Sequence, residues 1–167
     1  MSSSILDQKK ILAVDDEPDI LNVLEEEIAS KCSDCVFDKA TNYDEAVKLL
    51  QSQNYDLIVL DIMGVRGFDL LDMAVEKHLK AVMLTAHALS PENLMRAYDM
   101  GARAYLPKQK LGEIVPFLED VLKYDFEPGW KRLYEALRDM FTILWGRDWE
   151  KLQKEAGINL PRSWSDS

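Results

Sequence analysis

Four short apolar runs in this chain end in polar residues of complementary kinds. ILAV stops at Asp15 and Asp16, LIVL at Asp61, VML at Thr85 and AYLP at Lys108. Carboxylates, a hydroxyl and an ammonium are the groups that hold a hard divalent cation and manage a phosphoryl group. Asp15, Asp16 and Asp61, joined by a backbone carbonyl, suit Mg²⁺, which takes a few oxygen ligands and keeps several waters. Asp61, at the tip of a buried run, is placed as a carboxylate nucleophile whose covalent product is an aspartyl phosphate. The Lys108 ammonium would face the negative phosphoryl oxygens, and the Thr85 hydroxyl could donate to one of them.

Helix capping competes with this reading for the first acids. Glu17 can serve as an N-cap, Pro18 suits the first helical position, and Asp19 would sit against the positive end of the helix dipole. Capping explains Glu17 and Asp19 but not the whole cluster. Two like charges about 4 Å apart repel by roughly 4 kcal/mol at an effective dielectric of 20. Gathering them therefore calls for a counter-charge, and the fold decides whether one is within reach.

Short apolar runs alternate with amphipathic segments five times, the pattern of an α/β fold with a five-stranded, doubly wound parallel sheet. Strands are expected at about Lys10–Val14, Val36–Ala40, Leu57–Leu60, Ala81–Leu84 and Ala104–Leu106. Helices are expected at about Asp19–Ser30, Tyr43–Gln51, Phe68–Glu76, Pro91–Met100 and Leu111–Leu122. Thr41 or Asn42 caps the second helix, Ser90-Pro91-Glu92 opens the fourth, and Gly101 closes it in the left-handed region. Such a sheet binds its ligand at the carboxyl ends of the strands. Asp15, Asp16, Asp61, Thr85 and Lys108 all fall on that edge, so the metal reading overtakes capping.

At 167 residues and 47 % hydrophobic, the chain can bury a substantial core without help from metal or disulfides. Its net charge of -10 argues against nucleic acid and anionic membranes as partners. The start, MSSSILDQKK, lacks a signal-peptide apolar stretch, and no segment is long enough to span a bilayer, so a cytoplasmic protein is expected. Cys32 and Cys35 form a C-x-x-C, but a zinc site wants a second pair, and these thiols follow a helix rather than open one.

Beyond Lys123 the pattern changes. YDFEPGW reads as a linker, followed by a helix from Trp130 to about Trp145 and a short charged helix at Asp148–Ala156. Trp130, Leu133, Leu137, Met140, Phe141 and Leu144 form an apolar stripe. From Tyr124 onward seven Lys/Arg face eight Asp/Glu, 7 - 8 = -1, which is unlike a DNA-reading helix. The expected division is 1–123 and 124–167, with the stripe packed on the first part, on a second copy, or in the groove of a partner.

LAVDDE, DLIVLDIM, VMLTA and GARAYLPK together resemble the receiver domain of two-component response regulators, across about residues 8 to 123. The resemblance implies a flavodoxin-like strand order of 2-1-3-4-5. It also implies a histidine kinase or phosphotransfer protein as donor to Asp61, Mg²⁺ held with Asp15, Asp16 and the Met63 carbonyl, and a site completed by Thr85 and Lys108. Thr85 would shift toward the phosphate and Tyr105 would turn inward, altering the face formed by the fourth helix, fifth strand and fifth helix. That face, or the C-terminal helix, is where a homodimer is expected. Met63 and His87 match positions along the path of the hydrolytic water and would set the phosphate lifetime.

The chain departs from the family in two places. After Asp61, DIMGVRGFDLL is about two residues short and lacks the usual proline, which bears on metal geometry and kinase docking. Lys108 precedes Gln109 instead of proline, so no cis bond is expected there. A degenerate receiver acting as a docking module is the alternative of another class. A flavodoxin-like cofactor binder would want a Ser/Thr/Gly-rich loop after the first strand, and a haloacid-dehalogenase-like phosphatase an Asp-x-Asp pair.

Overall fold

The computed structural model describes residues 4–86 and 90–146. His87 and the expected helix at Asp148–Ala156 lie outside the described residues. Five strands form one sheet: β1 (Lys10–Val14), β2 (Val36–Ala40), β3 (Leu57–Asp61), β4 (Lys80–Thr85) and β5 (Ala104–Pro107). All neighbours are parallel, in the order β2-β1-β3-β4-β5.

The central strands are uninterrupted apolar runs because helices cover both of their faces, and every residue of β3 is buried. β2 is an edge strand in which only Ala40 is buried, and it carries two charges, Asp38 and Lys39, which discourage pairing with another chain. The helices are α1 (Pro18–Lys31), α2 (Tyr43–Ser52), α3 (Gly67–Glu76), α4 (Pro91–Asp99), α5 (Ile114–Lys123) and α6 (Phe126–Trp145). α1 packs with α5, and α2 with α3. Asn42 caps α2 by accepting from the Glu45 N–H at 2.9 Å, while Glu45 accepts in return from the Thr41 N–H at 3.0 Å. Ser90 caps α4 through the Asn93 N–H, and Gly101 ends it at φ +97.

Two boundaries differ from expectation by more than one residue. A 3-10 helix at Lys108–Glu113 precedes α5, where a single helix from Leu111 was expected. α6 starts at Phe126, not Trp130, so Pro128 and Gly129 lie in its first turn instead of in a linker. Proline is tolerated there because the first four helical N–H groups have no intrahelical partner.

The stripe on α6 packs back on β5 and α5. Trp130, Leu133, Tyr134, Leu137 and Phe141 are buried in the same cluster as the sheet core. The Trp130 indole N–H donates to the Ala102 carbonyl at 2.7 Å, and its ring meets Tyr98 of α4 edge-on at 5.3 Å. Cys32 and Cys35 are disulfide-bonded at the end of α1.

Candidate functional site

Strand register explains why the polar residues meet. Val14 pairs with Leu60, so Asp15 follows directly beside Asp61; Asp61 pairs with Leu84, and Thr85 with Pro107, so Thr85 and Lys108 each stand one step further out. Each side chain leaves the sheet at the point where apolar pairing stops. Asp15 is 1 % exposed, Asp61 5 % and Thr85 1 %, whereas Asp16 is exposed.

The Lys108 ammonium lies 3.0 Å from Asp15 Oδ2, 3.3 Å from Asp61 Oδ1 and 3.4 Å from Glu17 Oε1. Burial alone would lower the pKa of Lys108, but Asp15 and Asp61 more than offset it, and the net shift is upward. Burial raises the Asp15 carboxyl, against the pull of the Glu17 N–H and Lys108. Asp61 is raised from 3.8 to about 6, first by burial and then by the Asp15 charge, with Lys108 opposing.

Asp15, Asp16 and Asp61 each bring one carboxylate oxygen within 4.8 Å of the others. Asp15 Oδ1 accepts from the Glu17 N–H at 2.9 Å, but its buried Oδ2 has no hydrogen bond and is met only by the Lys108 charge. An unbonded buried carboxylate oxygen beside two further acid oxygens fits a hard cation. Capping and chemistry divide the opening acids. Glu17 is the N-cap residue of α1 by backbone position, but its side chain makes no cap hydrogen bond and reaches Lys108 instead.

The short loop from Ile62 to Arg66 folds tightly over the site. Ile62 continues the strand by donating to the Leu84 carbonyl at 3.1 Å, and Gly67 donates back to the Ile62 carbonyl at 3.2 Å. Gly64 and Arg66 take positive φ, +86 and 56. Arg66 is held by Asp69 at 2.9 Å and by the Tyr43 ring, 4.1 Å from its guanidinium carbon. A Cβ on Gly64 would stand 2.4 Å from Asp16 Oδ2, and one on Gly67 would stand 2.2 Å from the Asp61 carbonyl oxygen. Met63 is 58 % exposed.

Tyr105 points inward in this structure, fully buried, with its hydroxyl accepting from the Ser90 N–H at 3.2 Å. Burial raises its pKa. Among the described residues no peptide bond is cis, in keeping with Gln109 after Lys108. Glu17 and Ser90 are site neighbours that sequence spacing does not reveal, while Gly64 and Gly67 lie in the shortened loop after Asp61 that the sequence ties to metal geometry.

Residues 11–118 match the family described as the response regulator receiver domain. The chain is 34 % identical over 103 residues to the two-component response regulator ARR18 of Arabidopsis thaliana, covering 59 % of this chain and 16 % of that protein. It is 30 % identical over 116 residues to the nitrate/nitrite response regulator NarL of Escherichia coli, covering 68 % of this chain and 51 % of that one. The chain thus spans about half or less of the curated relatives it matches. A solved CheY-like receiver domain from Methanospirillum hungatei superposes with a TM-score of 0.58 at 25 % identity, over 70 % of this chain and 98 % of that chain.

Proposed function

The chain belongs to the response regulator receiver family, and from that premise we propose that it accepts a phosphoryl group on Asp61. The donor is a phosphohistidine on a sensor histidine kinase or phosphotransfer protein. An ionised Asp61 oxygen attacks phosphorus, the O–P bond forms as the P–N bond breaks, and the imidazole leaves with the electron pair and is protonated. Asp15, Asp16, Asp61 and the Met63 carbonyl would hold Mg²⁺, which supplies positive charge to the phosphoryl oxygens. Lys108 supplies a second positive charge to those oxygens, and Thr85 donates its hydroxyl to one of them. Met63 and His87 set how readily water reaches the acyl phosphate.

The observation that carries this reading is the Lys108 ammonium 3.3 Å from a buried Asp61 whose neighbours are two further acids. Receiver 1–123 and extension 124–167 work together, and the output is a protein contact, in the cytoplasm. No helix among the described residues is long and apolar enough to cross a membrane. Self-association through α6 or the α4–β5–α5 face belongs to the same proposal; α6 lies on β5 and α5, so a dimer using that face would include or displace it.

The test is incubation with Mg²⁺ and a small acyl phosphate, followed by intact mass. A base-labile gain of one phosphoryl group on the wild type, missing from Asp61→Asn, is expected. No gain on the wild type would leave only a docking module.

A further inference from the structure

We infer that Gly64 is a positioning residue for metal binding: by lacking a side chain it leaves room for the Asp16 carboxylate beside Asp15 and Asp61. The inference rests on the metal site proposed above. A Cβ at position 64 would stand 2.4 Å from Asp16 Oδ2, 2.6 Å from its Cγ and 2.9 Å from Oδ1, so the whole carboxylate lies over the glycine. All three atoms are at the free end of one exposed side chain, not backbone. A side chain here would therefore displace Asp16 before it displaced the fold. Gly67 differs, because its missing Cβ would meet the backbone of Asp61 and Ile62.

The shortened loop gives this contact its purpose. With Gly64 at φ +86 and Arg66 at φ 56, the chain turns from Asp61 to α3 with Gly64 against the Asp16 carboxylate. Asp16 is also the exposed member of the cluster, and its carboxylate packs against the loop at Gly64. The loop is thus a steric floor for a ligand that would otherwise swing into solvent. Positioning of a metal ligand by a neighbour is commonly worth about tenfold or more in affinity.

The experiment is calorimetric titration with Mg²⁺ alone of the wild type, Gly64→Ala and Gly64→Asn, each also in an Asp16→Ala background. Asn tolerates positive φ better than Ala but adds the same Cβ, so the pair separates backbone strain from displacement of Asp16. Urea midpoints in EDTA report the cost to the fold. Both single variants are expected to bind Mg²⁺ about tenfold more weakly, and to show no further loss once Asp16 is alanine. Unchanged affinity in the single variants, or an equal loss in the Asp16→Ala background, would overturn the inference while leaving the metal site standing. A wild type that does not bind Mg²⁺ would remove the site and the inference together.

Discussion

The Lys108 ammonium lies 3.3 Å from Asp61 Oδ1 and at the same time 3.0 Å from Asp15 Oδ2, so one cation is shared by two buried carboxylates on neighbouring strand ends. A divalent ion entering the cluster meets a site already held by a positive charge. Lys108 and a bound metal would therefore compete for the same oxygens until a phosphoryl group gave both a partner.

Lys108→Met tests that competition. Without the ammonium, two acids remain buried and unpaired, and stability in EDTA should fall by on the order of 3 kcal/mol. Mg²⁺ should bind more tightly than to the wild type. Weaker binding in a calorimetric titration would instead mean that Lys108 organises the acids for the metal.

The raised pKa of Asp61 predicts a pH dependence with a definite sign. Between its ordinary 3.8 and its folded value of about 6, the folded chain holds more of this proton than the unfolded chain does. Stability therefore falls as pH rises through that window and levels off above it, by a total on the order of 3 kcal/mol. Urea unfolding in EDTA should show this slope in the wild type and a weaker one in Asp61→Asn. Parallel curves for the two proteins would refute the assignment to Asp61.

Gly67→Ala should damage the fold itself. Its Cβ would meet the Asp61 carbonyl at 2.2 Å and the Ile62 Cα at 2.8 Å, neither of which can rotate away. A loss of at least about 2 kcal/mol is expected. A urea midpoint equal to that of the wild type would show that the start of α3 can shift freely.

Trp130→Ala should cost about 4 kcal/mol, the usual range for removing a buried aromatic residue. It deletes the indole packed against Tyr98 and the hydrogen bond to Ala102. Truncation after Lys123 should be more damaging still, because it uncovers the apolar surface of β5 and α5. A soluble truncated monomer as stable as the full chain would show that α6 contributes nothing to the fold.

Much of this arrangement was legible in the sequence because it depends on strand ends. A buried apolar run must stop where the chain leaves the sheet, so Asp15, Asp61, Thr85 and Lys108 mark one edge by sequence alone. The five strands and their order agree with expectation. The start of α6 was less legible, since Pro128-Gly129 carries the same local signal in a linker as in a first turn. The Glu17 side chain was also missed: a helix start predicts its backbone position, while its contact with Lys108 spans a sequence separation of 91 residues. Nor could Gly64 be placed over Asp16 from sequence, since spacing does not reveal which backbone approaches which carboxylate.

The region that marks kinship stops at residue 118, partway through α5. The continuous buried cluster runs on through Trp130 and Leu137 to Phe141. The family match and the buried core therefore have different ends. A fragment cut by ancestry would sever α5 and shed the helix that shields its flank, so any transplant of this switch into another protein should carry α6 with it.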